Sequence, residues 1–123
     1  MRVNQVKVLI ADDEVDLRVL LSEVFQRLGL QTLVARNGSE CLLMVKREHP
    51  DAVVLDLTMP GLNGIEALKE IRKVDPRIPV VVLTASTYPV LHQTARALGA
   101  TAVYTKPCDL EQFARHVASL ASS

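Results

Sequence analysis

The sequence predicts an α/β protein built on a doubly wound, five-stranded parallel sheet. Five short runs rich in valine, leucine and isoleucine alternate with five longer amphipathic segments. The runs are apolar on both faces, which is typical of parallel strands that helices cover on both sides. The links are short and contain glycine, proline, asparagine or aspartate, residues that favour turns.

The predicted strands are short stretches of apolar, mostly β-branched residues. They are residues 6–10, 31–35, 52–55, 79–83 and 102–105. The predicted helices carry apolar residues three or four positions apart. They include residues 17–28, 39–48, 65–71, 91–98 and 110–120. Five such βα units joined by right-handed crossovers give the flavodoxin-like (βα)5 arrangement, with strand order 2-1-3-4-5.

Length and charge favour one domain, covering residues 1–123. The chain has 14 Lys and Arg against 14 Asp and Glu, so it lacks the basic excess that nucleic-acid binding usually requires. Its apolar runs fall short of the roughly 20 residues that span a membrane. Residues 1–5 are polar and contain no signal-peptide core, so we expect a cytoplasmic protein without direct contacts to nucleic acid or membrane.

Polar residues follow four of the five predicted strands. Asp12 and Asp13 follow the first strand, Asp56 the third, Thr84 the fourth and Lys106 the fifth. Each residue alone would be ordinary, as a helix cap or a solvated side chain. Because the carboxyl ends of parallel strands meet at one edge of the sheet, we expect these five side chains to converge there.

Three carboxylates at one edge repel each other unless a cation lies among them. Carboxylate oxygens suit Mg²⁺, which prefers octahedral oxygen coordination. A carboxylate beside that ion can accept a phosphoryl group as an acyl phosphate, and a lysine can neutralise charge on the phosphoryl oxygens. The same crowding predicts that Asp12→Ala or Asp13→Ala stabilises the metal-free protein.

The ordered set of motifs resembles the receiver domain of two-component response regulators over essentially the whole chain. The motifs are Asp12-Asp13, Asp56 with the loop at residues 59–64, Thr84-Ala85, Gly99-Ala100 and Lys106-Pro107. The resemblance implies that Asp56 accepts a phosphoryl group from a sensor histidine kinase or a phosphotransfer protein. It implies a signalling module that catalyses only its own phosphorylation and dephosphorylation, and is not otherwise an enzyme.

The resemblance also implies a Mg²⁺ site. Asp13, Asp56 and the backbone carbonyl of Thr58 would bind the ion directly, and Asp12 would hold it through water. Lys106 would pair with oxygens of the carboxylate or of the phosphoryl group.

The switch implied by the resemblance depends on Thr84, which would move toward the phosphoryl group. The Lys106–Pro107 peptide bond would be cis. Receiver domains usually carry an aromatic residue three positions before this lysine, and its rotamer follows the threonine. Here that position is Val103, and Tyr104 should point to the opposite face of the sheet. Either the aromatic readout is absent or the strand is locally shifted by one residue. We expect the absence, because valine is ordinary at a sheet position.

The output stays open between a downstream protein partner and a fused effector domain, and the face formed by helix four, strand five and helix five could join two copies. Two other classes compete with a signalling module. A small phosphatase with an aspartyl-phosphate intermediate would need a carboxylate where Thr58 stands. A flavin carrier would need a Ser/Thr/Gly-rich loop where Asp12 and Asp13 stand, and those carboxylates would repel a phosphate.

Overall fold

A computed structural model describes residues 5–59, 61 and 63–123, which form five strands and five helices in strict alternation. Residues 1–4, in the predicted polar N-terminal segment, lie outside the described residues. Pro60 and Leu62, in the predicted loop after the third strand, also lie outside them.

The strands and helices begin and end close to their predicted bounds. The strands are β1 (Lys7–Ala11), β2 (Gln31–Ala35), β3 (Ala52–Leu55), β4 (Val80–Thr84) and β5 (Ala102–Thr105). The helices are α1 (Val15–Arg27), α2 (Gly38–Glu48), α3 (Gly64–Val74), α4 (Pro89–Ala97) and α5 (Leu110–Ala121). All paired strands are parallel, in the order β2-β1-β3-β4-β5, so the predicted doubly wound, flavodoxin-like topology is confirmed.

Two apolar cores lie on opposite faces of the sheet. Along β1, Leu9 faces the core shared with α2, α3 and α4, whereas Val8 and Ile10 face the core shared with α1 and α5. This alternation explains why strands such as β3 and β4 carry apolar residues on both faces. On the second face Phe25 of α1 and Phe113 of α5 are fully buried.

Side-chain caps fix where three of the helices begin. Asn37 accepts a hydrogen bond from the Glu40 backbone at the start of α2, and Asn63 accepts one from Glu66 at the start of α3. Asp109 caps α5 in the same way. Such caps satisfy backbone N–H groups that have no partner within the helix. No helix in the described part of the chain combines the length and the apolar character that a membrane span requires.

Candidate functional site

The five predicted site residues are positioned by the carboxyl ends of β1, β3, β4 and β5. Ala11 pairs with Leu55 in the central register, which brings Asp12 and Asp56 to adjacent strand ends. Thr84 pairs with Thr105 in the same way and places Lys106 beside the end of β4. The topology therefore carries residues almost a hundred positions apart to one edge of the sheet, called the acidic rim below and defined by Asp12, Asp13, Asp56 and Lys106.

Three carboxylates converge at the acidic rim. One oxygen from each of Asp12, Asp13 and Asp56 lies within 4.8 Å of the other two. Asp12 and Asp56 are buried, with 1% and 4% of their surface exposed, whereas Asp13 is exposed. The predicted convergence of these side chains is thus present in the structure.

Lys106 lies among these carboxylates and contacts one further acid. Its Nζ donates to Oδ2 of Asp12 at 2.9 Å and to Oε1 of Glu14 at 2.6 Å. Oδ2 of Asp56 is farther from the ammonium, at 3.6 Å. Glu14 was not among the site residues predicted from the sequence. The signal was present in the acidic run of residues 12–14, but nothing local separates an acid that favours a helix start from one that pairs with a distant lysine.

The electrostatics of Asp56 follow from its burial and its neighbours. The pKa of Asp56 is raised from 3.8 to about 6. Burial is the largest cause, and the charges of Asp12 and Asp13 add to it, whereas the Thr58 N–H and Lys106 oppose it. Lys106 compensates this carboxylate only in part, because its two shortest contacts go to other acids. Asp56 is therefore a carboxylate in an environment that favours an additional positive charge.

The pKa of Lys106 is shifted in the opposite sense to what burial alone would produce. Partial burial lowers it, but the hydrogen bonds to Glu14 and Asp12 outweigh burial, so the pKa of the ammonium lies above its ordinary value. Lys106 is consequently a permanent cation at the acidic rim. It can neutralise developing negative charge but cannot act as a base near neutral pH.

Backbone groups orient the two buried carboxylates. The Thr58 N–H donates to Oδ1 of Asp56 at 3.1 Å, and the Glu14 N–H donates to Oδ1 of Asp12 at 2.8 Å. Arg18 of α1 donates to the Asp12 carbonyl at 2.6 Å and anchors that turn. In each carboxylate Oδ2 is the oxygen that faces Lys106.

The start of α3 packs directly against the segment that follows β3. A Cβ at Gly64 would lie 2.3 Å from the Leu57 Cα and 2.4 Å from the Asp56 carbonyl oxygen. The Gly64 N–H also donates to the Leu57 carbonyl at 3.1 Å. Only glycine permits this approach, so Gly64 lets the start of α3 pack against the backbone of Asp56.

Thr84 is fully buried at the end of β4. Its backbone carbonyl accepts from the Lys106 N–H at 2.7 Å, and its Oγ1 accepts from the Ser86 N–H at 3.1 Å. Ser86 in turn presents its carbonyl to Nε2 of His92 at 2.7 Å, which joins the loop to α4. Thr84 is thus linked to β5 through its carbonyl and to the β4–α4 loop through its hydroxyl.

Val103 and Tyr104 face opposite sides of the sheet. Val103 packs with the α2–α4 core, and Tyr104 packs with the α1–α5 core. The Tyr104 ring meets Phe113 edge-on, with centroids 4.9 Å apart, and its hydroxyl bonds to Nδ1 of His116. Because β5 keeps a regular register with β4, no shift of the strand brings Tyr104 to the Val103 position. The Lys106–Pro107 bond is cis.

The donor set at the acidic rim fits a hard divalent cation. Three carboxylates within one small space supply oxygen ligands and an excess of negative charge that one lysine does not balance. Mg²⁺ suits such a site, because it binds through one or two carboxylates and keeps several water ligands, which a further carboxylate can hold. The acidic cluster therefore agrees with Mg²⁺ binding.

The fold and this rim define a class of protein, a doubly wound α/β domain whose carboxylates and lysine meet at the carboxyl ends of the strands. Residues 8–118 match the family described as the response regulator receiver domain. The chain belongs to this family, the receiver domains of two-component response regulators, as the sequence motifs predicted.

Individual relatives agree with this assignment. Sporulation initiation phosphotransferase F of Bacillus subtilis is 42% identical over 106 residues, which are 86% of each chain. The regulatory protein AtoC of Escherichia coli is 40% identical over 108 residues, and there the chain spans only 23% of the relative. A chain in a solved CheX–CheY–BeF3–Mg²⁺ complex from Borrelia burgdorferi is 30% identical to this one. The match covers 93% of this chain and 87% of that chain, with a TM-score of 0.86.

Proposed function

We propose that this receiver domain accepts a phosphoryl group on Asp56 from a phosphohistidine of a sensor histidine kinase or a phosphotransfer protein. The P–N bond to the histidine would break, a P–O bond to an Asp56 oxygen would form, and the imidazole would leave with the electron pair. The observation that carries the proposal is the convergence of Asp56 with Asp12, Asp13 and Lys106 at the carboxyl edge of the sheet.

Each residue of the acidic rim has a role in this transfer. Asp56 would be the nucleophile, held by the Thr58 N–H, which donates to its Oδ1. Lys106 lies 3.6 Å from Asp56 Oδ2 and would pair with a phosphoryl oxygen bound there. Its permanent charge suits it to neutralise the equatorial oxygens during transfer.

A divalent cation would complete the charge balance. Asp13, Asp56 and the Thr58 carbonyl would hold Mg²⁺ directly, and Asp12 would hold it through water. When bound, the ion would offset negative charge on the carboxylates and the incoming phosphoryl group. The Mg²⁺ named in the related Borrelia burgdorferi structure supports this assignment.

The conformational output would begin at Thr84. Its Oγ1 accepts from the Ser86 N–H, so a turn of the hydroxyl toward the phosphoryl group would release that hydrogen bond and free the β4–α4 loop. Tyr88 and Val90, at the start of α4, are 75% and 73% exposed and would change position with it. The receiver would then act on a downstream partner, a fused effector domain or a second copy through the α4–β5–α5 face. Val103 would not take part as an aromatic readout.

The phosphodonor protein would approach across α1. A groove of about 420 Å³ between α1 and β2 exposes Val15, Val19 and Val34 beside Arg18 and Glu23. The exposed fractions of the three valines are 60%, 51% and 44%. An apolar groove with a charged border, directly after the rim residues in sequence, suits contact with a helical partner.

The test is incubation with acetyl phosphate and Mg²⁺, followed by intact-protein mass spectrometry. We expect a gain of one phosphoryl group that EDTA prevents and that Asp56→Asn abolishes. The matched control is Asp51→Asn, at the opposite end of β3, which should be phosphorylated like the unaltered protein. Phosphorylation that survives in Asp56→Asn would refute the proposed acceptor.

The phosphatase alternative is tested in the same preparation. Thr58 is exposed and carries a hydroxyl where that class needs a second carboxylate. We expect no turnover of a generic phosphate ester. Steady turnover that Asp56→Asn removes would favour the enzyme class instead.

A further inference from the structure

The ammonium group of Lys106 lies at unequal distances from three carboxylates. Its shortest contact, 2.6 Å, goes to Oε1 of Glu14, and the contact with Oδ2 of Asp12 is 2.9 Å. Oδ2 of Asp56 lies at 3.6 Å, beyond hydrogen-bond distance. Before phosphorylation the lysine is therefore directed toward Glu14 and away from the carboxylate that it would serve.

Asp12 and Glu14 differ in the free-energy cost of losing their contact with Lys106. Asp12 is 1% exposed and its other oxygen is fixed by the Glu14 N–H, so separation from Lys106 would leave a buried charge without a counterion. The side chain of Glu14 is 60% exposed, so its carboxylate can return to water. If Lys106 turns toward a phosphoryl group on Asp56, Glu14 is consequently the partner that it leaves.

From this geometry we infer that Glu14 is a positioning residue that restrains Lys106 and slows phosphoryl transfer to Asp56. The inference rests on the proposed function. With acetyl phosphate the P–O bond to acetate breaks, a P–O bond to Asp56 forms, and acetate leaves with the electron pair. Lys106 must reach the phosphoryl oxygens during this step, and the Glu14 contact must open first.

The expected size of the effect follows from the exposure of Glu14. Ion pairs with an exposed partner have modest strength, which corresponds to about a two- to fivefold change in rate when the contact must break on the way to the transition state. We expect Glu14→Gln to increase the rate of Asp56 phosphorylation by this factor. The glutamine keeps the size and polarity of the side chain and removes only the charge.

The kinetic test compares the unaltered protein, Glu14→Gln and Asp16→Asn with acetyl phosphate at saturating Mg²⁺. Asp16 is exposed in the first turn of α1, so its substitution removes one nearby charge and no described contact with Lys106. Mg²⁺ affinity is measured separately for each protein. Acceleration in Glu14→Gln but not in Asp16→Asn supports the inference, and equal rates in all three proteins overturn it.

Two further measurements separate a direct contact from a general charge effect. In the metal-free protein, the NMR signal of the Lys106 side-chain nitrogen should shift in Glu14→Gln and stay unchanged in Asp16→Asn. In a Lys106→Ala background, Glu14→Gln should no longer accelerate phosphorylation. An acceleration that persists there, or an unmoved Lys106 signal, would overturn the inference.

Failure of the inference is distinguishable from failure of the proposed function. If the unaltered protein and Asp16→Asn are phosphorylated on Asp56 but Glu14→Gln is no faster, only the role of Glu14 is wrong. If the unaltered protein is not phosphorylated at all, the proposed function is wrong and the role of Glu14 falls with it.

Discussion

Neutralising Asp56 should stabilise the metal-free protein, and the gain should depend on pH. Asp56 is 4% exposed, and its pKa is raised from 3.8 to about 6, so the folded state binds this proton more tightly than the unfolded state does. The unfavourable contribution of the charged carboxylate is therefore absent well below pH 3.8. It grows as the pH rises through the interval between the two pKa values and is complete above about pH 6.

The magnitude follows from the size of the pKa change. Between 3.8 and about 6, at about 1.36 kcal/mol per pKa unit, the contribution is at most about 3 kcal/mol. Asn at position 56 can still accept from the Thr58 N–H, so Asp56→Asn keeps that hydrogen bond. We expect Asp56→Asn to raise the free energy of unfolding by about 2–3 kcal/mol at about pH 7.5, by about half as much at pH 5, and by very little at pH 4.

The assay is urea denaturation in EDTA at these pH values, followed by circular dichroism. Asp16→Asn, which removes an exposed charge, is the control and should change the free energy of unfolding by less than about 0.5 kcal/mol. If Asp56→Asn were no more stable than the unaltered protein at about pH 7.5, or if its gain were the same at every pH, the assignment of a buried, poorly compensated charge to Asp56 would be wrong.

Three other changes test the rim and its support. Lys106→Ala should lower the free energy of unfolding by about 2–4 kcal/mol in urea, because buried Asp12 loses its counterion. Gly64→Ala should cost more than about 2 kcal/mol, because its Cβ would overlap the backbone of the segment after β3, whereas Gly61→Ala, with open space but a φ of +74°, should cost about 1 kcal/mol in the same assay. Saturating Mg²⁺ should raise the melting temperature of the unaltered protein in calorimetry but have little effect on Asp13→Ala; an equal rise in both would exclude Asp13 as a ligand.

Asp12 and Asp13 differ in how their replacement by alanine should change the stability of the metal-free protein. Asp13 is exposed and its charge raises the pKa of Asp56, so Asp13→Ala should still stabilise the metal-free protein slightly. Asp12 is buried, accepts from the Glu14 N–H and pairs with Lys106. Asp12→Ala would remove these hydrogen bonds, so these contacts oppose the stabilisation that the sequence predicts for Asp12→Ala.

The sequence by itself determined the order of elements, the topology and the members of the acidic rim. Strands with apolar residues on both faces predicted a sheet covered by helices on both sides, and the two cores on either side of β1 confirm it. Polar residues directly after such strands predicted convergence, because parallel strands that begin on one side must end on the other. The convergence of Asp12, Asp56 and Lys106 follows from local patterns alone, because the carboxyl ends of parallel strands share one edge.

Only the tertiary structure decided how the charges are shared within the rim. Lys106 meets Glu14 across 92 positions of sequence, and its Nζ lies 2.6 Å from Oε1 of Glu14 but 3.6 Å from Oδ2 of Asp56. Gly64 is required by an approach to the backbone after β3 that no local pattern encodes. A sequence specifies only which residues reach the same edge of the sheet. Differences of about one ångström then decide which carboxylate pairs with the lysine, because a hydrogen bond weakens steeply with distance.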